Sequence, residues 1–238
     1  MDTSSTSQQL IVRPTSQVQV APSHYAFEDY DDKERWASYW HQIRNTLRLS
    51  PRPRSILEIG GGTGLYRSYL ANQGIEVRTA DIDDTRKPDY LADVRDLDRT
   101  LPAGLRFDAV VAFQVLEHLP FAALDDCLAG IARRANPYAL ISLPYHGWAF
   151  RFALRIAGLR LSTGFKLWKP WRFKFDGEHH WELGWQHTPR SITRRMERHF
   201  EVLDRFLLPE NPYHYLWVLR TRQAGSASAP APAAGASP

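Results

Sequence analysis

The chain has 238 residues, 43% of them hydrophobic, with eight tryptophans, one cysteine and a formal net charge of +4 at pH 7. That is core material for one sizeable domain, and too little length for two domains with tails. Cys127 alone excludes an internal disulfide and suits a reducing compartment, and no apolar run approaches the roughly 20 residues that cross a bilayer as a helix.

The opening residues carry no basic and apolar leader, so a cytoplasmic protein is expected. Residues 1–23 are rich in Ser, Thr and Gln without periodicity and read as a disordered segment. Trp36, Tyr39, Trp40, Ile43 and Leu47 fall at helical spacing and predict one helix over 28–49. Its aromatic stripe is expected in the core, with Trp36 or Tyr39 as candidates to close over a ligand. Pro51 and Pro53 end that helix, and a strand follows at 55–59.

Leu65, Tyr69 and Leu70 give the next helix an apolar face, with Gly74 as its stop. Strands are predicted at 76–80, 90–92, 108–113 and 138–143, a helix at 121–135 and another at 189–199. Two last strands, 200–207 and 213–221, are joined by a short Pro-rich turn that suits an antiparallel pair. Alternating strands and helices imply an α/β, Rossmann-like doubly wound and mostly parallel sheet. The domain is expected over 24–222, with an aromatic and basic cap insertion at 144–188 and a disordered Ala/Pro/Ser tail at 223–238.

The most informative stretch is Ile56-Leu57-Glu58-Ile59-Gly60-Gly61-Gly62-Thr63-Gly64. Glycine lets the backbone enter φ > 0 and lets a ligand lie against main-chain N–H groups. A carboxylate on a buried strand is costly unless it faces something polar or cationic, which makes Glu58 the odd residue. The dinucleotide pattern G-x-G-x-x-G fails here, because its third glycine would fall on Leu65 or Arg67. Later strand ends carry Asp81, then Asp93-Val94, then Gln114 with Glu117-His118, and all belong at one edge of one parallel sheet.

The glycine run resembles the first motif of class I S-adenosylmethionine-dependent methyltransferases. Phe113-Gln114-Val115-Leu116-Glu117-His118-Leu119-Pro120 resembles the motif after the fourth strand in the methyltransferase type 11 group. The resemblance implies S-adenosyl-L-methionine as cofactor. Gly60, Gly62 and Gly64 would line its methionine portion, with Gly61 and Thr63 in the same loop, and Glu58 would face its charged end. Asp81 would hold the ribose, Ile82 would pack on adenine, and Asp93 and Val94 would contact the adenine edge. Gln114 would sit near the methyl or the methionine tail.

Transfer to oxygen or nitrogen needs a group that takes a proton, and histidine serves near neutral pH. The candidates are His118, His146, His179 and His180, with Tyr145, Glu178 and Trp181 as candidate acceptor contacts. Glu117, His118, Glu178, His179 and His180 could supply metal ligands, but structural-zinc spacing is absent and no metal is expected.

In the insertion Trp148, Phe152, Ile156 and Leu159 are interspersed with Arg151, Arg155 and Arg160, followed by Phe165, Lys166, Trp168, Lys169, Trp171 and Arg172. Two readings stand: an interfacial helix that touches a membrane or a lipid-linked acceptor, and a lid packed on its own domain. After Phe150 basic residues outnumber acidic ones roughly two to one, which suits anionic lipid, a phosphorylated acceptor or nucleic acid. The leading expectation is methylation of a small or lipid-linked acceptor. An RNA methyltransferase, disfavoured because no appended RNA-binding module is visible, and an inactive cofactor-binding scaffold are the alternatives.

Overall fold

The computed structural model describes residues 12–18, 27–167 and 173–222. At its centre is β1 (Ser55–Ile59), flanked by β2 (Glu76–Asp81) and β4 (Phe107–Phe113), all parallel. β3 (Tyr90–Leu91) pairs with the outer side of β2, and β5 (Ala135–Pro144) runs parallel to β4. β9 (His214–Thr221) and β8 (Phe200–Leu207) close the sheet in antiparallel register, giving the order β3-β2-β1-β4-β5-β9-β8. The mostly parallel α/β sheet and its terminal antiparallel pair are as the sequence predicts. The strand order reverses between β1 and β4, and that switch point leaves a crevice beyond the carboxyl ends.

Strand alternation sorts the apolar residues into two layers, one on each face of the sheet. Leu57, Ile59, Val110, Ala112, Ala139 and Ile141 pack with α5 (Leu124–Arg134). Ile56, Ala109, Val111 and Leu140 pack on the opposite side with α3 (Leu65–Ala71), through Tyr66 and Leu70. Two covered faces explain why β1 and β4 read as nearly continuous apolar runs. Glu58 shares the parity of Ile56 and is the one acid within the buried run of β1.

The N-terminal helix differs from expectation. α1 (Phe27–Tyr30) and α2 (Lys33–Leu47) are separate, because the Asp32 carboxylate accepts from the Arg35 N–H and starts a new helix. The aromatic stripe is also turned around, with Trp36 and Trp40 exposed. The buried face of α2 is instead polar: Ser38, His41, Gln42 and Thr46. Three of these side chains meet partners from elsewhere in the chain. His41 meets Glu210 at 2.8 Å, Ser38 meets Asn211 and His214, and Thr46 meets the Tyr66 hydroxyl at 2.7 Å.

Residues 12–18, expected in a disordered segment, run extended along the domain. The Val12 N–H donates to the Arg99 carbonyl, the Gln17 N–H donates to the Ile82 carbonyl, and Ser16 bonds Asp84. The rest of 1–23 and the 223–238 tail lie outside the described residues.

The insertion contains no interfacial helix among the described residues. Trp148–Ile156 (β6) and Leu159–Leu167 (β7) form an antiparallel hairpin that pairs with no other strand among the described residues. Phe150 and Phe152 alternate with smaller or basic residues, so the spacing that reads as helical also fits period two. Trp168, Lys169, Trp171 and Arg172 lie outside the described residues. α6 (Pro189–Met196), capped by Thr188, then leads into β8. No described helix is long and apolar enough to cross a membrane.

Candidate functional site

A cavity of about 420 Å³ opens at the carboxyl edge of β1, β2 and β4. Its floor is the turn after β1. Gly60, Gly62 and Gly64 have φ of 71°, 49° and 74°, a region where an L side chain is strained. At Gly60 the constraint is also steric: a Cβ would come within 2.6 Å of Val115 Cγ2. Side chains are therefore disfavoured at Gly60, Gly62 and Gly64, most strongly at Gly60, which leaves bare backbone there. Gly60, Gly61, Gly62 and Thr63 line the cavity, whereas Gly64 caps α3 just behind it.

Glu58 reaches the same space and is 5% exposed. Its Oε2 has no hydrogen-bond partner. Burial pushes its pKa up to about 8, and the attraction of Arg67 offsets only part of this. A buried carboxyl oxygen without a hydrogen-bond partner among the described residues, facing a cavity, fits a cationic ligand.

Asp81 and Ile82 line the wall formed by the end of β2. Burial raises the Asp81 pKa, although the carboxylate accepts the Asp83 N–H at 2.9 Å. Asp93 and Val94 also line the cavity, with Asp93 engaged by Arg95 through both carboxylate oxygens. Burial works against its charge, but the bonds from Arg95 prevail and hold it below the usual carboxylate range. Gln114 sits at φ 58°, anchored by its N–H to the Ser142 carbonyl.

The mouth is built by segments that the sheet alone does not position. Glu117 is 0% exposed, and burial pushes its pKa up to about 8. His118 and His179 approach edge-to-face with ring centroids 4.8 Å apart, and both line the cavity with Glu178. His118 Nδ1 lies 3.1 Å from the Glu178 carbonyl oxygen, which can only accept, so Nδ1 carries the proton in the neutral ring. Burial and the neighbouring His179 lower the His118 pKa. Burial pulls the His179 pKa down, but its bond to Glu182 and the charges of Glu117, Glu182 and Asp176 together outweigh this and leave it raised. Glu117, His118 and His179 each offer one ligand atom within 4.8 Å of the others, so this donor set has the capacity to hold a cation.

The remaining candidates fall elsewhere. Trp181 is core: it is 3% exposed, donates from Nε1 to the Leu119 carbonyl and packs edge-on against Phe121. His180 is exposed beside Phe175. Tyr145 packs on Tyr215 at the start of the insertion, and His146 Nδ1 lies 3.6 Å from Glu182. None of these four lines the cavity.

Residues that sequence reasoning missed complete the site. From the α1–α2 region Tyr30, Arg35 and Gln42 line it, and Tyr39, a candidate from the aromatic stripe, joins them with its hydroxyl 3.3 Å from Thr63 Oγ1. Tyr213 and His214 enter from the β8–β9 connection. His214 is fully buried, which pushes its pKa down to about 3, and its Nδ1 lies 2.8 Å from Ser38 Oγ. No motif marks these positions; a polar face on α2 was the available signal.

The chain matches the family described as a methyltransferase domain over residues 28–203. It belongs to that family. No curated protein matches the chain significantly. Among solved structures it resembles the Burkholderia thailandensis 1,6-didemethyltoxoflavin-N1-methyltransferase bound to its acceptor and S-adenosylhomocysteine, at 18% identity and TM-score 0.55, over 87% of this chain and 93% of that one. A glycopeptide N-methyltransferase complexed with S-adenosylhomocysteine aligns at 14% identity and TM-score 0.52, over 86% and 99%. The magnesium protoporphyrin IX methyltransferase of Synechocystis with bound S-adenosylmethionine aligns at 14% identity and TM-score 0.53, over 87% of each chain. At these identities the likeness is one of fold, and the methyltransferase domain extends through the Gly-rich loop, the strand-tip acids and the histidine pair.

Proposed function

We propose that this methyltransferase uses S-adenosyl-L-methionine to methylate an oxygen or nitrogen of a small or lipid-linked acceptor, acting in the cytoplasm. The observation that carries the reading is Glu58, a buried carboxylate whose Oε2 lacks a protein partner at the floor of a side-chain-free loop. Glu58 and the Gly60–Thr63 backbone would hold the amino-acid end of the cofactor, Asp81 the ribose, and Ile82, Asp93 and Val94 the base. Bound there, the cofactor would supply a methyl carbon activated by its sulfonium, to which an acceptor lone pair can bond as the carbon–sulfur bond breaks and a neutral thioether leaves.

The protein's task is then to exclude water, orient the acceptor and take its proton. His118 suits the last role. Its lowered pKa keeps it neutral at pH 7, and an Nδ1–H directed to the Glu178 carbonyl leaves Nε2 as the basic nitrogen. His179, tied to Glu182, keeps its charge to higher pH and would face the acceptor's polar end, with Glu178 alongside. Tyr145 stands at the start of the insertion, outside the cavity lining.

Calorimetry with S-adenosylhomocysteine tests the cofactor half, and absence of heat at high micromolar ligand sinks it. Incubation with methyl-labelled cofactor and fractionated cell extract tests the acceptor half. Label in lipid, carbohydrate or small-molecule fractions is expected, and label confined to RNA would replace this acceptor class with nucleic acid.

A further inference from the structure

Among the described residues the β6–β7 hairpin joins no other strand. An isolated two-stranded hairpin is marginal in water unless something covers its apolar face. The register pairs Trp148 with Leu167, Phe150 with Phe165, Leu154 with Leu161 and Ile156 with Leu159, which puts these eight apolar side chains on one face. Seven of the eight are large hydrophobics left exposed, from 45% at Phe150 to 64% at Leu159. Even the turn, Ala157-Gly158, carries no polar side chain. Contiguous apolar surface of this kind marks an interaction face.

Charge identifies the occupant. Residues 148–175 contain seven basic side chains and no acid: Arg151, Arg155, Arg160, Lys166, Lys169, Arg172 and Lys174. By the same alternation Arg151, Arg155, Arg160 and Lys166 occupy register positions on the opposite face of the hairpin, so a second copy would add like charge to like, whereas an anionic lipid surface attracts this charge across roughly a Debye length while it takes up the apolar face. The strand edges still present unpaired N–H and C=O groups, which bilayer hydrocarbon does not tolerate. The hairpin therefore suits the headgroup boundary, lying flat with its apolar face down. Its base is fixed to the domain. The Lys166 ammonium donates to the Tyr145 carbonyl and sits 5.6 Å from the ring centroid of Tyr213, a cavity-lining residue.

We infer that the β6–β7 hairpin is a monotopic anchor that docks the enzyme on an anionic phospholipid surface, with the cavity mouth beside the bilayer. The inference stands on the hairpin alone and needs no cofactor, so it can fail while the methyl-transfer reading survives, and the reverse.

Co-sedimentation of the full chain with vesicles decides it. Binding is expected to vesicles of phosphatidylcholine with about 30% phosphatidylglycerol, at least ten-fold stronger than to pure phosphatidylcholine, and weaker at high salt. The variant Phe152→Ser/Ile156→Ser/Leu159→Ser changes only exposed side chains and should reduce binding at least ten-fold, with its melting temperature and S-adenosylhomocysteine affinity unchanged. Failure of the native chain to sediment with anionic vesicles overturns the inference. So does a triple variant that binds as well as the native chain. A concentration-dependent dimer that the triple variant abolishes, with no vesicle binding, would assign the face to a second copy instead.

Discussion

His179 Nδ1 lies 2.9 Å from Glu182 Oε1, and the same carboxylate oxygen accepts the Tyr213 hydroxyl. Glu182 is buried, so the pair links a cavity-lining histidine to a cavity-lining tyrosine through a carboxylate out of solvent. The arrangement fixes both the ring orientation and the proton of His179. Glu182 is thus a positioning residue, one that acts on the site through its neighbours.

Replacing that carboxylate should move a titration. In Glu182→Gln the midpoint of His179 falls, because the charge that raised it is gone, and histidine NMR reads the change directly. The native pKa is raised above the unfolded value, so this contact stabilises the fold fully below the unfolded pKa of about 6.5 and loses its effect as pH climbs through the folded pKa. The variant should lose about 1–3 kcal/mol at pH 6 and less at pH 9. An unchanged His179 midpoint would show that Glu182 does not set it.

Glu58 predicts a pH dependence for cofactor binding. Its pKa rises to about 8 in the fold, so the free protein prefers it protonated at neutral pH. A cation placed against it favours the ionised form, so binding should release a proton at pH 7 and affinity should rise until pH passes about 8. Calorimetry in buffers of different ionisation heat measures that proton, and Glu58→Gln should suppress this component. The same shift makes the empty protein most stable below the unfolded carboxylate pKa, with that contribution lost as pH rises through about 8.

Gly60 combines two constraints that a double variant separates. Gly60→Ala should lose roughly 1–2 kcal/mol from the left-handed backbone, with the Val115 contact adding to it. Adding Val115→Ala removes the 2.6 Å clash and should restore part of the stability, without restoring native φ freedom. Thermal melts report the recovery. If the double variant is no more stable than the sum of the singles, the clash is not what limits the turn.

Arg134 is a structural counterpart far from the chemistry. Its buried guanidinium donates to the carbonyls of Leu97, Pro102 and Leu105, tying the end of α5 to α4 (Leu97–Thr100) and the loop after it. Arg134→Met should lower the urea midpoint by the equivalent of about 2–3 kcal/mol, since several buried acceptors lose their donor. S-adenosylhomocysteine affinity should change little at temperatures where the variant stays folded.

The amino-acid sequence by itself determined the sheet and the glycine floor of the cavity. Period-two burial, glycines at positions of positive φ and acids at strand ends are local signals, and Glu58, Gly60, Asp81 and Asp93 follow from them because parallel strands bring their ends to one edge. Tertiary structure decided the rest. His118 and His179, 61 positions apart, meet because the insertion folds back over β4 through the His180 N–H to Glu117 carbonyl bond. Trp181 and His180 are neighbours in sequence, yet one is core and the other faces solvent. The polar face of α2 is inside and its tryptophans outside because Glu210, Asn211 and His214 arrive from the far end of the chain to satisfy it. Periodicity ranks side chains by hydrophobicity alone. Burial of a polar group depends on a partner, and the partner is chosen by long-range packing.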